Sequence, residues 1–214
     1  DTTSEHDFTG AFKPEAVRYA AHHRAQGDTV TVARIDVSKR HPDRLVQVVA
    51  AIRAAAPLDR VAVFAHGWRT GIQLGLSTAT EADRGHLATF AVALVEASTP
   101  ALKVALYCCS TGASDGPAGD GGDGGFADLF RGALVAAGRT DVSVFAHTSA
   151  GHTTHNANVR FFFADTTRGG VDLAKYTTSE GRILKARLAD GKDPLRFRLP
   201  YLTLAEARAE LVAK

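Results

Sequence analysis

Val104-Ala105-Leu106-Tyr107-Cys108-Cys109-Ser110-Thr111-Gly112 joins the apolar core of the chain to its two thiols. An apolar run, two adjacent thiols and a small-residue turn, in that order, put reactive side chains where a strand ends and a loop begins. In open α/β sheets that carboxyl edge is where ligands bind. Upstream, Val61-Ala62-Val63-Phe64-Ala65 runs straight into His66-Gly67 and repeats the arrangement with an imidazole in place of the thiols. As parallel neighbours in one sheet, the two strands would bring His66 and Cys109 face to face across a single crevice.

The segments around these junctions alternate in period. Pro14 to Ala20 reads as a short helix stopped by Gly27, and Thr29 to Asp36, β-branched and apolar at close spacing, reads as a first strand. His41-Pro42-Asp43 opens a helix with proline in its favoured first turn, and Leu45, Val48, Val49 and Ile52 supply its apolar stripe. After a polar loop at 67–79, Leu87, Phe90, Ala91, Leu94 and Val95 predict a second striped helix, ended near Ser98-Thr99-Pro100. Phe126, Leu129, Phe130, Ala133 and Leu134 predict a third, stopped by Gly138, and Val142 to Ala146 a fourth strand running into His147-Thr148-Ser149. Val159 to Phe163 reads as a further strand or as core filling; the pattern from Gly169 to Gly191 is weak. Leu195 to Leu199 alternates apolar and basic, as an edge strand does, and Leu204 to Val212 reads as a last helix. Strands alternating with helices predict a three-layer α/β/α sandwich with a mostly parallel central sheet, in a single domain spanning 1–214.

Bulk composition narrows the function classes. With 214 residues, 45% hydrophobic and 22% charged, the chain is long and apolar enough for a real core. A formal charge of +2 gives no strong pull toward nucleic acid. No stretch is long and apolar enough for a bilayer, and the first residues, Asp1 to His6, have no basic region leading into an apolar one, so a soluble protein with the cytoplasm as default compartment is expected. Adjacent cysteines close no loop, so Cys108 and Cys109 read as thiols in a reducing setting or at a site.

On these residues the chain resembles the caspase-like cysteine peptidases. Phe64-Ala65-His66-Gly67 and Tyr107-Cys108-Cys109-Ser110-Thr111-Gly112, with 43 positions from His66 to Cys109, look like the His-Gly and Cys-x-x-Gly signatures of that clan. The glycine-rich stretch, amphipathic helix and strand after the cysteine are most similar to CHAT peptidases. The strand running into His147, Thr148 and Ser149 is similar to the cleft border of legumain-like enzymes. The resemblance covers about 28–164 and implies a caspase-like fold, a peptide or protein substrate, Cys109 as nucleophile, His66 as its partner, and backbone N–H groups of Gly67 and Cys109 as oxyanion donors. Tyr107 stands where relatives selecting a basic side chain carry aspartate, so the resemblance implies no Arg or Lys specificity.

Chemistry alone supports the pairing, since a thiolate is the reactive form of cysteine and a nearby imidazole can take its proton or protonate a leaving amine. Alternation along a strand would turn Cys108 inward. Trp68, the only tryptophan, is a candidate cleft wall, as are Tyr107, His147, Thr148 and Ser149. His147, His152 and His155 match no standard zinc spacing, so no metal or other cofactor is expected; the aspartates 115, 120 and 123 offer calcium as the sole ion alternative, without the EF-hand pattern. Gly112 to Gly125 holds seven glycines among fourteen residues and is expected to be a mobile, exposed loop. Two other classes remain open: a non-catalytic binding module of the same fold, and a serine esterase of the α/β-hydrolase type. The second needs a Gly-x-Ser-x-Gly elbow, and Gly75-Leu76-Ser77-Thr78-Ala79 lacks its second glycine.

Overall fold

A computed structural model of the chain describes residues 12–116, 123–151, 153–163, 171–172 and 179–212. Its strands are β1 (Leu58–Phe64), β2 (Gly67–Trp68), β3 (Gly71–Ile72), β4 (Leu76–Ser77), β5 (Ser98–Tyr107), β6 (Ser143–His147), β7 (Val159–Phe162) and β8 (Val171–Asp172). Its helices are α1 (Phe12–Ala25), α2 (His41–Ala55), α3 (Glu81–Glu96), α4 (Phe126–Ala136), α5 (Ser179–Ala189), α6 (Leu195–Arg198) and α7 (Leu204–Val212). The main sheet runs β1-β5-β6-β7-β8, with β1, β5 and β6 parallel, β7 antiparallel to β6, and β8 antiparallel to β7. Phe64 is in register with Tyr107, and Leu106 with Ala146, so β1, β5 and β6 all end on one edge.

Alternation along these strands sorts their side chains into two cores. Val63, Val104, Leu106, Val144, Ala146 and Phe162 face α2, α3 and α4. Phe64, Ala105, Tyr107, Phe145, Val159 and Phe161 face α1, α5, α6 and α7. The result is the three-layer α/β/α arrangement with a mostly parallel sheet that the alternating pattern predicts.

Local signals explain most boundaries. Gly27, at φ 91°, ends α1, and Gly138, at φ 100°, closes α4 with its N–H on the Val135 carbonyl at 2.9 Å. Thr80 and Asp83 form a reciprocal cap on α3, each accepting the other's backbone N–H.

Two expectations are corrected. Thr29 to Asp36 is not a strand, and within it only Ile35 makes an isolated bridge. Residues 29–33 and β1 line one cavity of about 290 Å³, and Gln47 takes the Asp36 backbone N–H on its Oε1 at 2.9 Å. Strand propensity forms no ladder without a partner backbone. Leu195 to Leu199 is not an edge strand: Leu195–Arg198 is a helical turn running into a 3-10 turn at Leu199–Tyr201. Asp193 accepts the Leu195 N–H at 2.9 Å from just before Pro194, which starts that turn. Val159–Phe162 is a strand and also part of the core. Of the glycine-rich loop, residues 117–122 lie outside the described residues, and so does the expectation of mobility for that part.

Candidate active site

The edge where β1, β5 and β6 end carries three loops, and they converge. His66 follows β1, half-buried, with its ring edge-on to Phe12 at 4.7 Å and 84°. The Gly67 backbone lies directly on the cysteine turn. A Cβ at Gly67 would stand 2.7 Å from Cys108 Cβ, 2.8 Å from Thr111 Cγ2 and 2.9 Å from the Cys109 carbonyl oxygen. Only glycine permits that approach.

The turn after β5 is tight and firmly held. Ser110 occupies the left-handed region at φ 56°, a conformation unusual for a residue with a side chain. Its N–H donates to the Ser149 carbonyl at 3.0 Å, Gly112 N–H donates to the His147 carbonyl at 2.7 Å, and Thr111 Oγ1 donates to the Cys108 carbonyl at 3.1 Å. Gly112 crosses the end of β6 so closely that a Cβ there would lie 2.8 Å from the Ala146 carbonyl oxygen. The glycine of Cys-x-x-Gly is thus a packing requirement in this chain.

The two cysteines have opposite surroundings. Cys108 is fully buried in the α2–α4 core, its thiol directed at the Val63 carbonyl 3.7 Å away, and burial pushes its pKa up to about 12. It is a protonated, inaccessible thiol at neutral pH. Cys109 is half-buried, and its Sγ accepts the backbone N–H of Gly151 at 3.3 Å. The Gly151 N–H is thus aimed at the one atom of Cys109 able to act as a nucleophile.

The remaining sequence candidates divide. Trp68 is 40% exposed beside His66-Gly67 and stands at the rim rather than in the core, its indole close over Gly71. Thr148 and Ser149 are half-buried in the loop that backs the cysteine turn. Tyr107 and His147 do not line an open cleft, which corrects that expectation. Tyr107 is 1% exposed, stacked on Phe64 with its hydroxyl donating to the Arg196 carbonyl at 3.3 Å, and burial holds its pKa well above the usual phenol value. His147 is wholly buried, edge-on to Tyr107 and Phe145. Both side chains form the floor beneath the site, because strand alternation turns them toward α1 and the other aromatic rings.

His155 accepts from the Arg196 guanidinium on Nε2 at 2.7 Å, which leaves Nδ1 to donate to the Leu188 carbonyl at 2.8 Å, and His152 lies outside the described residues. Among the described residues, no group of three metal-binding side chains forms. Asp123 is committed to Arg160, which also donates to the Gly112 carbonyl at 3.1 Å, and to the Gly125 N–H at 3.0 Å; Asp120 lies outside the described residues. Ser77 sits in β4 of the small β2-β3-β4 meander, not at a strand-to-helix elbow.

Comparison with protein families, curated proteins and solved structures finds no match to this chain. Among the described residues, no helix is long and apolar enough to cross a membrane.

Sequence reasoning missed Phe12, Glu15, Thr154 and Asn156. Asn156 Nδ2 ties the loop together through the Gly151 carbonyl at 2.9 Å, and Thr154 is anchored on the buried Glu15. Gly151, at φ 117°, was the sole local signal, marking a turn that only glycine adopts readily.

Proposed function

We propose that the chain is a cysteine endopeptidase of the caspase-like kind, acting on peptide or protein substrates through Cys109 and His66. The observation that carries this reading is the parallel register of β1 and β5, which sets both residues on one sheet edge with the Gly67 backbone against the cysteine turn. In the reaction the Cys109 thiolate attacks the scissile carbonyl and forms a carbon–sulfur bond. Backbone N–H groups of Gly67 and Cys109 receive the oxyanion. The carbon–nitrogen bond then breaks as His66 gives a proton to the departing amine, and water hydrolyses the thioester, returning the thiol and releasing the acid. Two free thiols fit a reducing compartment such as the cytoplasm.

Peptide-library cleavage by wild type and three variants tests the reading. Cys109→Ala is expected to lose roughly 10³-fold or more, because the acyl-enzyme cannot form. Cys108→Ala should keep most activity, since that thiol is sealed in the core. His66→Ala should be crippled in turnover while Cys109 still reacts with iodoacetamide. If Cys108→Ala is the dead variant, or if hydrolysis is indifferent to all three changes, the assignment is wrong.

A further inference from the structure

The first turn of α1 touches both arms of the site. Phe12, fully buried, presents its ring to the edge of His66. One turn later on the same helix face, Glu15 is only 4% exposed, an unusual place for a carboxylate. Its Oε2 accepts from Thr154 twice, from the hydroxyl at 2.8 Å and from the backbone N–H at 3.4 Å, while Oε1 pairs with the exposed Arg18 at 3.0 Å. Thr154 is itself buried and belongs to the loop whose Gly151 N–H points at Cys109 Sγ. Asn156 completes that loop, donating to the carbonyls of Gly151 and Ala150 at 2.9 and 3.3 Å.

We propose that Phe12 and Glu15 are positioning residues, through which α1 sets the His66 ring and, by way of Thr154, aims the Gly151 N–H at the Cys109 sulfur. The inference rests on the peptidase reading for its purpose, but its geometry concerns the reactivity of one thiol. A buried carboxylate is costly and is held where neighbours donate to it. Here both donors to Oε2 come from Thr154, 139 residues away in sequence, so removing the carboxylate releases that loop from α1. The glutamate acts through its acceptor oxygen, because the partner that holds the loop is a hydroxyl and not a charge.

The test reads Cys109 alkylation by iodoacetamide at neutral pH, with Cys108→Ala as the common background so that a single thiol reports. Losing a charge-assisted hydrogen bond to the thiolate should slow alkylation about tenfold in Thr154→Val, a near-isosteric change that deletes the hydroxyl. Glu15→Ala should slow it by a similar factor, and the double variant should be no slower than either single one. The conservative changes Thr154→Ser and Glu15→Gln keep a donor and an acceptor in place and should restore the rate. Arg18→Ala should leave it unchanged. Where a hydrolysed peptide is in hand, Thr154→Val should lower kcat and leave KM within about twofold. Should Glu15→Ala fail to fold, Thr154→Val and its serine rescue decide alone. A folded Thr154→Val with wild-type alkylation overturns the proposal, as does a Thr154→Ser no faster than Thr154→Val. Slowed alkylation without any peptide hydrolysis upholds the positioning and counts against the peptidase reading.

Discussion

The two faces of the sheet are built differently. On one, α2, α3 and α4 are 11 to 16 residues long and lay regular apolar stripes on Val63, Val104, Leu106 and Val144. On the other, α1 is joined by shorter pieces, α5, α6, a 3-10 turn and α7, around rings from Tyr19, Phe64, Tyr107, Phe145, Phe161 and Phe197. The first face fixes the strands and takes Cys108 into its core. The second supplies the groups that touch the candidate site, Phe12 on His66 and Glu15 on Thr154 of the segment after β6. Scaffold and adjustment are thus divided between the layers, and the sheet edge depends on both.

The largest effects concern whether the two faces are one cooperative unit. Phe130→Ala, in the α2–α4 core, is expected to cost about 3–5 kcal/mol, and Leu184→Ala, in the α5–α7 core, about 2–5 kcal/mol. Both residues are fully buried and both cores share the same strands, so each variant should unfold in urea through a single transition, by near- and far-ultraviolet circular dichroism alike. An early transition confined to the helices in Leu184→Ala would show the second face to be a separate unit.

A smaller effect separates the site from the scaffold. Gly67→Ala would drive a Cβ against Cys108 Cβ and the Cys109 carbonyl, with backbone on one side and core on the other, and should cost about 1–3 kcal/mol while slowing Cys109 alkylation. Gly85→Ala is the control. Its Cβ would meet nothing within 4 Å on α3, and the change should stabilise by about 0.5–1 kcal/mol. If both glycines tolerate alanine equally in urea melts, the close approach at Gly67 is not needed.

The first face was legible in the sequence because a helix stripe and a helix stop are local. Leu87 to Val95 and Gly138 carry their own signals, and the junctions ending at Ala65 and Tyr107 read correctly because a buried parallel strand is a continuous apolar run. The second face was not. The alternation of Leu195, Phe197 and Leu199 matches a strand, yet all three are buried by one helical turn and the 3-10 turn after it, and Asp193-Pro194 was the overlooked start. Val30 and Val32 have strand propensity, but pairing is a non-local event and β1 does not meet them. The two-residue ladders at 67–77 are too short to carry a period. The positions of His66, Gly67, Cys109 and Ser149 at the sheet edge were readable from their junctions. Glu15 was not, since nothing in a helix pattern tells a buried glutamate from a solvated one.

The smallest effect reads the division between the cysteines through pH. The folded state holds Cys108 at about 12, because burial disfavours its thiolate, while an unfolded chain releases that proton near 8.5. Above the unfolded value the unfolded state therefore binds fewer protons than the folded one, so stability falls as pH rises. The contribution is fully present below about 8.5 and is lost progressively toward about 12, at up to about 1.4 kcal/mol per pH unit. Tyr107 and Tyr201 are also shifted upward by burial and join in only near the phenol range, so urea midpoints between pH 8 and 9 read mainly the thiol. Wild type and Cys109→Ala should lose stability over that interval. Cys108→Ala should show a flatter profile, because the sealed thiol is the group that titrates only on unfolding. A profile flattened instead by Cys109→Ala would place the buried proton on the other sulfur and reverse the assignment of which cysteine belongs to the core and which to the edge.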